Sequence, residues 1–168
     1  MVSLLGFCEW LASTPWSVAL HESHYVFLIV LTVHVITLTV FVGTAVIIDL
    51  RLLGLTLRHI PVSALMTDLL PWTRAGFVVM LASGILLFYA APVLRYENLF
   101  FRLKMAALAA AAVNGWVFRR TIYRSVAEWD CDDVPPRRAR LAGGISLLLW
   151  AVIITGGRMI PYQVYWFD

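Results

Sequence analysis

The stretch LIVLTVHVITLTVFVGTAVIIDLRLLGL, residues 28–55, decides how the chain is read. It is too apolar for a helix in water and too long for a strand in a core. An α-helix needs roughly 20 mainly apolar residues to cross the approximately 30 Å of hydrocarbon in a bilayer. In the middle of this stretch stands His34, a group that carries a proton or binds a metal, placed where water is scarce.

Composition agrees with a membrane setting. Of 168 residues, 61% are hydrophobic and only 14% are charged, and the mean hydropathy is +0.84. That balance lies far outside the soluble average. No basic stripe is interleaved with aromatics, which argues against nucleic acid as a partner. The length fits one domain, residues 1–168. The pattern predicts an all-α integral membrane four-helix bundle with spans at about 25–48, 72–93, 100–118 and 141–162. No Lys or Arg precedes the apolar start, so no signal peptide is expected. SLLGFCEWLASTPWSVAL, residues 3–20, is short, Trp-bearing and interrupted by Pro15, and reads as an interfacial helix.

Basic residues set the expected topology. The first and third connections hold nine Arg, among them Arg51, Arg58, Arg74, Arg119, Arg120 and Arg124. The second connection holds three basic residues, Arg95, Arg102 and Lys104, and the C-terminal end one, Arg158. The positive-inside rule places the first and third connections in the cytoplasm and both termini outside. Trp10, Trp16, Trp72, Tyr96, Trp116, Tyr123, Tyr162 and Trp166 fall near predicted boundaries, as interface anchors do. Cys8 and Cys131 then lie on opposite sides, as two unconnected thiols.

The first connection, DLRLLGLTLRHIPVSALMTDLLP (49–71), predicts a short cytoplasmic surface helix that starts near Pro61 and stops at Pro71. The third, EWDCDDVPPRRAR (128–140), reads as a solvated hinge. The run AALAAAAV (106–113) lets a backbone or a flat ligand approach the third span.

Ionisable groups inside a membrane are costly and usually face the bundle interior. At about 1.5 Å per residue, His34 sits about 13 Å below the outer boundary, and Lys104 and Arg158 about 6 Å below it. An imidazole beneath two cations matches a b-type haem, with His34 on the iron and Lys104 and Arg158 on the propionates. Gly84 and the Ala run would give the porphyrin room, and Gly156 and Gly157 would loosen the fourth helix. Asn114, mid-span, is a further cofactor contact or an interhelical hydrogen bond. Snorkelling of both cations and a structural role for His34 stay open. His21 and His24, in HESH (21–24), share a helix face at the outer interface and form a secondary metal candidate. No other span contains His, so a sixth ligand would be Met80, Met105, Met159, Lys or a residue from a second copy in a homodimer.

HVITLTVFVGTAVIIDLRLLG (34–54) together with FFRLKMAALAAAAVNGWVFRR (100–120) resembles an uncharacterised bacterial family of small four-helix membrane proteins. More remotely it is similar to HemJ-type membrane protoporphyrinogen oxidases and to the membrane domain of copper-resistance D proteins. The HemJ resemblance implies haem b associated with His34, Gly43 and Lys104. Three functions follow as expectations. The first is a b-type haem protein that moves electrons near the outer face, an oxidoreductase if an enzyme, with quinone or an outer-face redox protein as partner. The second is copper handling, with Cys8, His21 and His24 outside and His34 with Met105 or Met159 within. The third is an accessory subunit without cofactor.

Overall fold

The computed structural model describes residues 4–167, and all regular structure among them is helical. Eight α-helices follow in order: α1 Leu4–Ala12, α2 Pro15–Glu22, α3 His24–Leu52, α4 Val62–Ala90, α5 Pro92–Glu97, α6 Leu99–Val117, α7 Arg137–Met159 and α8 Val164–Phe167. A π-helical turn (Phe118–Ile122) and a 3₁₀ stretch (Tyr123–Glu128) lie between α6 and α7, and a 3₁₀ turn (Ile160–Tyr162) precedes α8. Three helical stretches are long and apolar enough to cross a membrane: α3, α4, and α7 with the turn after it. α6 has the length, but Arg102, Lys104 and Asn114 dilute its hydropathy.

α3, α6 and α7 fall close to the predicted spans. α4 does not, and two expectations are corrected here. The first connection carries no separate surface helix, and Pro71 does not stop a helix. α4 begins at Val62 and runs unbroken through Pro71 to Ala90. Proline removes one backbone donor and crowds the carbonyl four residues back. Hydroxyls hold the turns on either side of that break: Thr67 donates to the Ser63 carbonyl at 2.8 Å and Thr73 to the Leu69 carbonyl at 2.9 Å. The true connection is the short segment 53–61, which turns at Gly54 with φ +70°. Only glycine takes that conformation without strain.

α3 packs between α4 and α7, and α6 packs on the other side of α7. Small residues set the crossings. A Cβ on Gly76 would lie 3.2 Å from the Phe41 Cβ, and one on Gly143 would lie 3.0 Å from the Asp49 carbonyl oxygen. α4 and α6 do not pack along their length, although the rings of Phe88 and Phe101 stack with centroids 5.7 Å apart. The four long helices therefore leave a lengthwise cleft between α4 and α6, backed by α3 and α7.

Each end of the cleft is tied off. At one end, the expected interfacial helix is two helices, α1 and α2, broken at Ser13–Thr14; Ser3 lies outside the described residues. α2 lies across the end of α4. Thr14 and Tyr89 share a hydroxyl–hydroxyl bond of 2.6 Å, and Ser17 donates to the Tyr89 carbonyl at 2.7 Å. At the opposite end stands Arg51, wholly buried. Its Nε donates to the Ile60 carbonyl at 2.8 Å, and its Nη2 to the Asp132 carbonyl at 3.2 Å and the Asp130 carbonyl at 3.4 Å. The Asp130 carboxylate accepts from the Ser63 backbone N–H at 2.7 Å and from the Ser63 hydroxyl at 2.5 Å. Trp129 is buried with Leu52, Val62, Phe118, Ala139 and Ala142. The third connection is thus not a solvated hinge. Its Trp129 and Pro135 are buried against the helix ends, and its Asp130 and Asp132 backbone carbonyls accept from Arg51.

Candidate functional site

The upper part of the cleft, toward α2 and α5, encloses a cavity of about 350 Å³. Its walls come from α3 (His34, Leu38), α4 (Met80, Gly84), α6 (Lys104, Met105) and α7 (Ile153). Leu81, Ile85 and Met105 stand exposed around it, so the cavity opens sideways between α4 and α6.

His34 enters this cavity with its ring held by a hydrogen bond. Its Nδ1 lies 2.9 Å from the Ser83 hydroxyl. That hydroxyl has one hydrogen, and the backbone carbonyls of Val79 and Met80 lie 2.7 and 3.1 Å from it. With that proton on a backbone carbonyl, Ser83 would accept from Nδ1–H of a neutral ring. The lone pair then sits on Nε2, the nitrogen left for a ligand. Gly84 makes space for the ring: a Cβ there would come within 3.3 Å of His34 Cε1. Serine and glycine in sequence, at residues 83 and 84, thus place and orient one imidazole.

Lys104 lines the same cavity. Its stem rests on α7, where a Cβ on Gly157 would lie 3.7 Å from Lys104 Nζ and one on Gly156 3.8 Å from Lys104 Cβ. Gly156 and Gly157 therefore do not loosen α7, which continues through them to Met159; they seat a lysine. Arg95, on α5, is close enough to Lys104 for the two charges to interact. Burial pushes the Arg95 guanidinium below its ordinary range, and its Nε has no hydrogen-bond partner. Neither cation meets a carboxylate among the described residues. Two close positive groups without an anion form a site that an anionic ligand would complete.

The other predicted site residues lie elsewhere. Arg158 is exposed and does not line the cavity; Arg95 stands beside Lys104 in its stead. Asn114 faces a second cavity lower in the cleft and donates to the Ala142 carbonyl at 3.0 Å, joining α6 to α7. His21 Nδ1–H bonds the Ala90 carbonyl at 3.1 Å, and His24 Nδ1–H the Glu22 carbonyl at 3.3 Å. Cys8 is a buried free thiol and Cys131 an exposed one. The expected outer copper set of Cys8, His21 and His24 is not assembled: among the described residues no three His, Cys, Asp or Glu side chains gather at metal-binding distance. His21 and His24 spend their Nδ1 groups on helix ends instead.

A family model covers residues 21–163, nearly all of the long-helix framework and both cavities. The chain belongs to DUF6644, a family of unknown function. No curated protein and no solved structure matches it. Membership in DUF6644 agrees with the resemblance to an uncharacterised family. It lends no support to a likeness to HemJ-type oxidases or copper-resistance D domains. Sequence reasoning missed Ser83, Arg95 and Asp49. Each carried a signal. Ser83 precedes the only glycine in its half of α4, Arg95 shares the Lys104 end of the chain's turn, and Asp49 is the sole acid in α3.

Proposed function

We propose that this DUF6644 chain is an integral membrane four-helix bundle of α3, α4, α6 and α7 that holds a b-type haem beside His34 and moves electrons near the outer face of a bacterial inner membrane. The observation that supports the reading is His34, hydrogen-bonded through Nδ1 to Ser83, in one cavity with Lys104 and near Arg95. A Lewis-acidic metal needs the Nε2 lone pair, and acidic side groups on the same ligand need the cations. A flat apolar body joins the two demands. A cavity of about 350 Å³ lies within the roughly 300–1,000 Å³ range of ligand pockets, and its open flank lets a macrocycle edge extend beyond it. Met80 and Met105 line the same cavity and would offer soft thioether sulfurs to a bound group.

When bound, haem supplies a one-electron redox centre. The residues of this chain orient and tune it. Ser83 holds the imidazole ring, Gly84 leaves space next to it, and the apolar walls exclude water. Lys104 and Arg95 neutralise acid groups and favour the more negative, reduced form electrostatically. Quinone or an outer-face redox protein is the proposed partner. The arginine-rich connections, with Arg51 and Arg119, then lie in the cytoplasm and both termini outside.

The test is the visible spectrum of protein purified from membranes of haem-competent cells. A Soret band with about one haem per chain, lost in His34→Ala and weakened in Lys104→Met, supports the proposal. A colourless protein under those conditions sinks it and leaves an accessory subunit without cofactor.

A further inference from the structure

The lower part of the cleft holds a second cavity, of about 310 Å³. Met80 and Leu108 line both cavities and form the partition between them. Into the lower one faces Asp49, of which only 6% is exposed. Ser146 is near enough to hydrogen-bond its carboxyl group, yet Oδ2 is buried with no partner. A buried carboxyl oxygen left unpaired is expensive, and its absence of a partner asks for an explanation.

The surroundings say what kind of partner fits. Asn114 also lines this cavity, and one of its two amide N–H groups is used by the Ala142 carbonyl. Thr73 lines it too, and its hydroxyl is directed at Thr44 Oγ1 (3.1 Å) and the Leu69 carbonyl (2.9 Å). Of the polar lining groups, Asp49 Oδ2 is the buried atom left without a donor. The remaining wall is aromatic and apolar, with Phe41, Phe77, Phe118 and Trp150. A cation would supply donors, but Arg119 lines the same cavity and would repel it. Phe77 and Gly115 are exposed on the α4 and α6 sides of the opening, so an apolar tail has a way out sideways.

We infer that this cavity binds a neutral lipophilic ring compound that carries a hydroxyl donor, of the phenol or hydroquinone class, with the hydroxyl on Asp49 and the ring among Phe41, Phe77 and Trp150. The site is separate from the His34 cavity and does not depend on what binds there.

Radiolabelled 4-octylphenol is the probe, and the full chain in lipid nanodiscs is the receptor, with empty nanodiscs subtracted for partitioning. Saturable binding near one molecule per chain is expected. Unlabelled 4-octylphenol should displace it at least tenfold better than 4-octylanisole, whose methyl ether has no donor, and better than octylamine. Asp49→Ala, which removes the acceptor without filling the cavity, should weaken 4-octylphenol binding at least tenfold and leave 4-octylanisole unchanged. The inference is overturned if the ether competes as well as the phenol or octylamine competes better. It also fails if binding never saturates, or if Asp49→Ala binds the phenol like the natural chain. The ether and amine comparisons use the unaltered protein and stand whether or not the variant folds.

Discussion

Arg51→Met offers a sharp test of how the two arginine-rich connections hold together. Methionine keeps much of the stem and removes every donor. Three carbonyls lose their partner: Ile60 at 2.8 Å, Asp132 at 3.2 Å and Asp130 at 3.4 Å. Hydrogen bonds to a charged group contribute about 1.5–3 kcal/mol each, and the longest of the three counts for little. Against this stands the relief of a buried charge whose Nη1 has no partner. The net loss is about 2–4 kcal/mol. In a chain of this size one kcal/mol moves the melting temperature by about 2–4 °C, so a fall of roughly 5–15 °C is expected. Circular dichroism or tryptophan fluorescence in a mild detergent would read it. Arg51→Lys should recover part of the loss, because one ammonium does not span carbonyls on both sides. Arg58→Met, at an exposed site where Nε donates to the Gly54 carbonyl alone, should move the transition less, by about 2 °C. If Arg51→Met melts with the natural chain, or if Arg58→Met falls as far, the argument that Arg51 fastens the third connection to the helix ends is refuted.

Other outcomes follow from the same geometry. Gly143→Ala should lower the melting temperature by several degrees, since its Cβ would stand 3.0 Å from the Asp49 backbone oxygen; Gly144→Ala, with its nearest neighbour at 3.9 Å, should not. Ser83→Ala should reduce haem retention about 10–100-fold and shift the midpoint potential, as loss of a partner to a metal-bound histidine does; unchanged retention would remove Ser83 from the site. Gly84→Leu should abolish haem binding by filling the space beside His34 while the chain still folds, as judged by gel filtration and helicity. A membrane-impermeant maleimide should label Cys131 in inside-out vesicles and not in right-side-out ones. Cys8, a buried residue of α1, should stay unlabelled in both.

Much of the framework could be read from hydropathy. α3, α6 and α7 begin and end within a few residues of the apolar runs that predict them. α4 was harder, because a proline inside a long helix need not end it: α4 continues through Pro71. Which way a side chain faces was legible only in part. Helices that are apolar all round carry no amphipathic stripe, so depth alone made Lys104 and Arg158 look equivalent. Only Lys104 turns inward, against Gly156 and Gly157. Asp49 was hidden because the first span seemed to end at Ile48, which left the acid to the connection. Arg51 was hidden likewise as one more charge in a basic loop. Neither sequence spacing nor charge count reveals a buried arginine that reaches carbonyls about eighty residues away.

The separation of α4 from α6 also bears on how the molecule exchanges with its surroundings. In the proposed bilayer setting, a doorway on the flank would meet lipid, not the aqueous phase. Guests of either chamber would arrive by lateral diffusion, at a rate set by their abundance among the lipids. Rinsing with buffer would then do little to strip them, whereas the choice of detergent would decide what stays aboard during purification.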